Sequence, residues 1–127
     1  MKTVEYLMHQ KWMRSTVLFF SIILLLQASF LNQEASSRTN EIQNFDNLYF
    51  QALVNSSARQ YKEALPKLEA ANKLRPNDAD CLEAIASTYI HLRKHGQAIP
   101  FARKAAALDK EFEQPRLNLA TALLATG

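Results

Sequence analysis

A long apolar run near the N-terminus is the first feature of the hydrophobic pattern. Residues 16–26 carry no charge, and the uncharged stretch covers residues 15–33 with its apolar part ending at Leu31. Nothing polar alternates within the run to face water, which argues against the buried core helix of a soluble domain. Lys11 and Arg14 stand just before the run. A basic flank followed by an apolar segment is typical of a secretory signal or a signal-anchor.

Two interpretations of residues 1–31 stay open. The apolar part is shorter than the roughly 20 residues of a spanning helix, which favours a cleaved signal peptide. The large side chain of Leu26 stands where a cleavage site needs a small one, which favours a retained anchor. In both cases the basic flank stays in the cytoplasm. We therefore predict membrane contact through residues 15–31, with the rest of the chain on the non-cytoplasmic side or exported.

The segment after the apolar run is polar. Ile42 is the only large apolar residue in residues 32–44, and no hydrophobic period is visible there. We interpret this segment as a short tether, either disordered or a frayed helix, between the membrane and a folded domain.

The remaining residues repeat with a period of 34. Small residues map onto small ones at this spacing, and large apolar residues map onto large ones. So many coincidences at one spacing indicate duplicated structural units. The pairs are Leu48 and Leu82, Ala52 and Ala86, Ala64 and Ala98, Leu65 and Ile99, Pro66 and Pro100, Ala71 and Ala105, Leu74 and Leu108, Ile85 and Leu119, Ala86 and Ala120, and Tyr89 and Leu123.

Within each unit the apolar residues recur at helical spacing, so each unit predicts two helices. The breaks between helices are predicted at Asn55–Gln60, Arg75–Asp80, Arg93–Gln97 and Asp109–Pro115.

Turn and proline residues add detail to these predicted helices. Pro76 ends one helix, and Asn77 or Asp78 can cap the next. Pro115 suits the first turn of the last helix. Pro66 and Pro100 predict that the second helix of each unit starts late, so that the proline lies in its first turn.

A helix pair that repeats with this period and this pattern of small residues resembles the tetratricopeptide repeat. The resemblance covers residues 45–127, with a first repeat at 45–78, a second at 79–112 and the first helix of an incomplete third at 113–127. It implies an all-α fold in which helix-turn-helix repeats stack as a short right-handed superhelix, after the N-terminal hydrophobic helix. Because Leu123 and Leu124 lack a covering sixth helix, self-association through the last helix is a further expectation.

The same resemblance implies a concave groove, lined by the first helix of each unit, that binds a protein or peptide. The family's best-known subtype clamps a peptide's C-terminal carboxylate with Lys, Arg and Asn, and this sequence lacks those residues at the matching positions. The implied groove residues are Tyr49, Leu53, Glu83, Ser87, Ile90, Leu117, Asn118 and Thr121.

Composition and motifs point away from catalysis. With only 2 glycines the chain offers no glycine-rich phosphate loop, and no catalytic signature or cofactor motif appears, so we predict no enzyme and no cofactor. His91 and His95 have the spacing of two metal ligands but no third ligand nearby, and Cys81 is interpreted as a small structural residue. The excess of 15 basic over 12 acidic residues is not concentrated on the repeats, which argues against nucleic-acid binding.

These observations predict a membrane-anchored or exported tetratricopeptide-like scaffold that binds a protein or peptide. The alternative is the non-catalytic repeat portion of a larger enzyme or membrane-assembly subunit. A small helical enzyme is a third interpretation, and no motif favours it.

Overall fold

The computed structural model describes residues Met1–Gly127 and is all-α, as the hydrophobic pattern predicts. It contains five helices and no strand. The chain divides into two units, Met1–Asn40 and Glu41–Gly127. The helices are α1 (Lys2–Ser57), α2 (Tyr61–Leu74), α3 (Ala79–His91), α4 (His95–Leu108) and α5 (Glu113–Thr126).

The first unit is helical from Lys2 onward, and its side chains are all exposed. It includes a segment that is long and apolar enough to cross a membrane. Two hydroxyls inside this segment are satisfied locally, since those of Ser21 and Ser29 donate to the carbonyls of Val17 and Leu25, at 2.8 and 2.9 Å. Local satisfaction of this kind is what an apolar environment requires of a hydroxyl group.

Residues 32–44 lie within α1 and are helical throughout, so of the two forms expected for the tether the structure has the helical one. No glycine or proline occurs in the chain before Pro66, and nothing in the sequence interrupts the helix until Ser57. Absence of a hydrophobic period in this segment therefore reflects exposure on all sides and not a lack of regular structure.

The turns of the second unit repeat with the sequence. Arg59 and Arg93, which are one sequence period apart, both adopt left-handed backbone angles, with φ of 59° and 60°. The next residue in each turn donates its N–H to the carbonyl five positions earlier, at 2.8 Å for Gln60 and 2.9 Å for Lys94. This is the hydrogen bond of a Schellman helix end. Because the two turns have the same backbone angles and hydrogen bonds, the sequence period applies to the backbone conformation as well as to the side chains.

Small residues occupy the places where the helices pack. The chain packs α2 against α3, α3 against α4, and α4 against α5, and α3 also lies beside α5. Small side chains at these contacts let helix axes approach closely. The alanines that are fully buried in this core are Ala52, Ala64, Ala71, Ala86, Ala98, Ala102, Ala105 and Ala122.

Three polar contacts join helix segments that are distant in sequence. The Arg75 guanidinium lies over the ring of buried Phe45, 4.0 Å from its centroid, and pairs with Asp46 at 3.6 Å. The Tyr89 hydroxyl donates to a Glu69 carboxylate oxygen at 2.8 Å. These contacts link the end of α1 to the end of α2, and α3 to α2.

The predicted late start of the second helices is wrong. Pro66 and Pro100 are each the sixth residue of their helix, because α2 begins at Tyr61 and α4 at His95. A proline in a helix interior leaves the carbonyl four positions earlier without its N–H partner. Here those carbonyls belong to Lys62 and Gly96, both exposed, so solvent can hydrate them.

The predictions for the other helix starts are confirmed. An Asp78 carboxylate oxygen accepts from the N–H of Cys81 at 2.9 Å and caps α3. Pro115 is the third residue of α5, where its missing N–H leaves no bond broken, and its side chain is buried.

Candidate partner-binding face

A row of side chains crosses the first helices of the three repeats. We call the eight residues Tyr49, Leu53, Glu83, Ser87, Ile90, Leu117, Asn118 and Thr121 the first-helix face. At its centre the Asn118 amide donates to a Glu83 carboxylate oxygen at 2.8 Å, and the Asn118 amide oxygen accepts from Gln114 at 3.3 Å. Because Glu83 lies on α3 and Asn118 on α5, this network joins the first helices of two successive repeats.

The electrostatic environment at one end of the row is negative. Burial raises the pKa of Tyr49 to about 12, and the nearby carboxylates of Asp80, Asp78 and Glu83 contribute to the increase. Burial also raises the pKa of Glu83, with Asp80 adding to the effect, while the hydrogen bond from Asn118 acts in the opposite direction. Tyr49 on α1 therefore shares this negative environment with Asp80 and Glu83 on α3.

The members of the face differ in how much of each side chain solvent reaches. Leu53, Leu117 and Thr121 are exposed, while Ser87 and Ile90 are half-buried. Only 7% of Asn118 is accessible, and its amide is occupied by Glu83 and Gln114. Asn118 therefore orients Glu83, and the exposed members are the ones available for contact from outside.

Sequence reasoning missed three polar residues beside this face. Asp46, Asp80 and Gln114 occupy the same position in successive repeats, one turn before Tyr49, Glu83 and Asn118. Asp46 pairs with Arg75, Asp80 acts on Tyr49 and Glu83, and Gln114 donates to Asn118. The same sequence period that identified the apolar positions would have found them.

Apolar side chains are also exposed where the first helix of the stack begins. Phe50 and Val54 on α1 are 67% and 50% accessible, whereas the residues one period later, Ala84 and Thr88, are buried. Both repeat positions are therefore buried on α3 and exposed on α1.

The other candidate residues serve packing. Burial raises the pKa of the Cys81 thiol to about 12, and its sulfur contacts the Leu68 carbonyl at 3.6 Å, so Cys81 is a buried structural residue. His91 stacks on Tyr61 with ring centroids 4.3 Å apart, and His95 opens α4. No group of three or more His, Cys, Asp or Glu side chains is placed to hold a metal ion.

The chain was compared with protein-family models and with curated proteins. No protein-family model matches the chain, and no curated protein matches it either.

Proposed function

We propose that this protein is a tetratricopeptide-like scaffold, attached to or exported across a membrane by residues 15–31, whose first-helix face binds a protein or peptide. The observation that carries the proposal is the row of polar and apolar side chains across α1, α3 and α5. Glu83 accepts a hydrogen bond from Asn118, and Leu53, Leu117 and Thr121 are exposed on the same three helices. A pre-ordered row of this kind reduces the entropy lost when a partner binds.

The recurrence of turns and buried alanines supports the repeat interpretation, and the exposed apolar segment supports the membrane. Repeat arrays generally present one continuous surface built from equivalent helices. Lys11 and Arg14 before residues 15–31 favour a cytoplasmic N-terminus, with residues 45–127 on the opposite side.

Peptide display tests the binding proposal on the full chain in phosphatidylcholine nanodiscs. We expect selection from a random peptide library to enrich ligands that lose binding to Ser87→Trp, because the indole would fill the centre of the face. The matched control is Ala107→Trp, which places the same side chain at an exposed position of α4. This variant should bind the enriched peptides as the wild type does. Failure to enrich any peptide, or equal binding to the two variants, would contradict the proposal.

Protease protection tests the orientation. Protease added outside sealed cells stripped of their outer wall should digest residues 45–127 of the full chain. Protection of that domain until the membrane is permeabilised would place it in the cytoplasm and overturn this part of the proposal.

A further inference from the structure

Charge is divided unequally between the first and second helices of the repeats. The first helices, which are residues 41–57, α3 and α5, carry five acidic side chains and one basic one, Arg116. The basic side chains of this unit otherwise lie on α2, α4 and the connecting turns. The acidic residues of the first helices are Glu41, Asp46, Asp80, Glu83 and Glu113.

Glu83, a member of the first-helix face, and Asp80, one turn before it on α3, have no cationic partner. The ion pair in the structure joins Arg75 to Asp46, and no lysine or arginine lies within pairing distance of Asp80 or Glu83. Glu83 is also half-buried, and its hydrogen-bond donor is the neutral amide of Asn118. A partly desolvated carboxylate without a cation is less stable than the same group paired, so an incoming positive charge would be favoured here.

Exposed apolar side chains belong to the same face as Glu83. Leu53 and Leu117 are exposed members of the face, and Leu117 precedes Asn118, the residue that orients Glu83. A face that carries both a carboxylate and exposed leucines suits a polypeptide that has positive charge and an apolar side chain. A single lysine or arginine side chain can make both kinds of contact, because its aliphatic stem packs on apolar surface while its charged head group pairs with a carboxylate.

We infer that the first-helix face takes a cationic polypeptide segment, in which lysine or arginine side chains reach Asp80 and Glu83 and an apolar residue packs on Leu53 or Leu117. The inference rests on the proposed function and specifies the chemistry of the partner. The deciding argument is charge complementarity, since none of the eight residues of the face is basic.

The test uses the full chain in phosphatidylcholine nanodiscs, whose lipid has no net charge, and the peptides enriched by display. We expect the enriched peptides to be rich in lysine and arginine. The variant Asp80→Asn/Glu83→Gln keeps the side-chain shapes and the acceptor for Asn118. It should weaken peptide binding about three- to tenfold, as the loss of two partly exposed ion pairs predicts.

The control variant Glu63→Gln/Glu111→Gln removes the same net charge from exposed positions away from the face, and its affinity should match the wild type. Equal weakening in the two variants would show only general electrostatic attraction and overturn the inference. Peptides that depend on Ser87 but carry no positive charge would overturn it and leave the proposed function standing. Absence of any Ser87-dependent peptide would overturn both.

Discussion

Residues 15–31 and residues 41–127 are both rich in apolar side chains, but those side chains have different surroundings. In the first region every side chain is exposed, and the hydroxyls of Ser21 and Ser29 donate to carbonyls of the same helix. In the second, apolar residues pack against other helices at positions that recur with the sequence period. The apolar side chains of the first region are thus exposed to their surroundings, whereas those of the second are buried against one another.

A second comparison lies within the repeats. Ala86 and Ala120 occupy the same repeat position, as do Tyr89 and Leu123. Ala86 and Tyr89 are buried on α3, while Ala120 is exposed and Leu123 is 44% accessible on α5. The residue type alone does not determine burial, because the covering helix is what differs between the two positions.

The largest expected effect concerns the apolar segment. Leu24→Arg/Leu25→Arg places two charges in it, each costing about 2.5–3.5 kcal/mol at the centre of a spanning helix. We expect the variant to be lost from alkali-washed membranes and from the exported fraction. The control, Ser36→Arg/Ser37→Arg, places the same charges in the polar tether and should behave like the wild type. Normal membrane integration of the Leu24/Leu25 variant would contradict the assignment.

The next prediction tests the open face of α5. Leu124 is 85% accessible beside the partly exposed Leu123. Covering the area that the two leucines still expose would contribute about 2–4 kcal/mol in total. We expect the full chain in detergent to self-associate with rising concentration and Leu123→Gln/Leu124→Gln to remain monomeric, as measured by analytical ultracentrifugation. A wild type that stays monomeric at all concentrations would contradict this expectation.

Enlarging an alanine tests the difference between α3 and α5. Ala86→Leu inserts volume into a fully buried contact and should lower the free energy of unfolding by about 1–3 kcal/mol. Ala120→Leu makes the same change at the equivalent exposed position, so its effect should be within about 0.5 kcal/mol. Thermal unfolding followed by circular dichroism measures both. Equal destabilisation, or none from Ala86→Leu, would show that the helix pairing is misassigned.

The smallest expected effect is a pH dependence from Glu83. Burial raises the pKa of Glu83, so the folded state retains a proton that the unfolded state has already released. Its contribution to stability is present at low pH and is lost as pH rises through the folded pKa. Because Glu83→Gln cannot titrate, its stability relative to the wild type should increase as pH rises from about 4, near the ordinary pKa of glutamate, through the folded pKa of Glu83. A relative stability that is flat or decreases over this range would contradict the pKa shift.

Sequence reasoning located the repeats because packing imposes one residue size at each repeated position. Ala64 and Ala98 are both fully buried, and Leu65 and Ile99 are both half-buried. The same reasoning failed at Pro66, because it treated the lost hydrogen bond as decisive. The residue that carries the affected carbonyl, Lys62, is exposed, and the cost of the lost hydrogen bond depends on solvent access that the one-dimensional pattern does not contain.

The candidate face was predicted less completely than the fold. Its members follow from the repeat alignment, but the hydrogen bond between Glu83 and Asn118 depends on how α3 and α5 lie beside each other. Burial of Asn118 was likewise unpredictable, since Phe50 is exposed at the equivalent position of α1. Side-chain exposure at a repeated position depends on neighbouring units as well as on the repeat itself.

Backbone amide chemical shifts of the full chain in nanodiscs, recorded while an enriched peptide is added, test the central claim most directly. The account predicts shifts concentrated on α3, α5 and residues 45–57, with the largest near Tyr49, Ser87 and Thr121. Shifts concentrated instead on α2 and α4, or spread over all helices without a common surface, would contradict binding at the first-helix face.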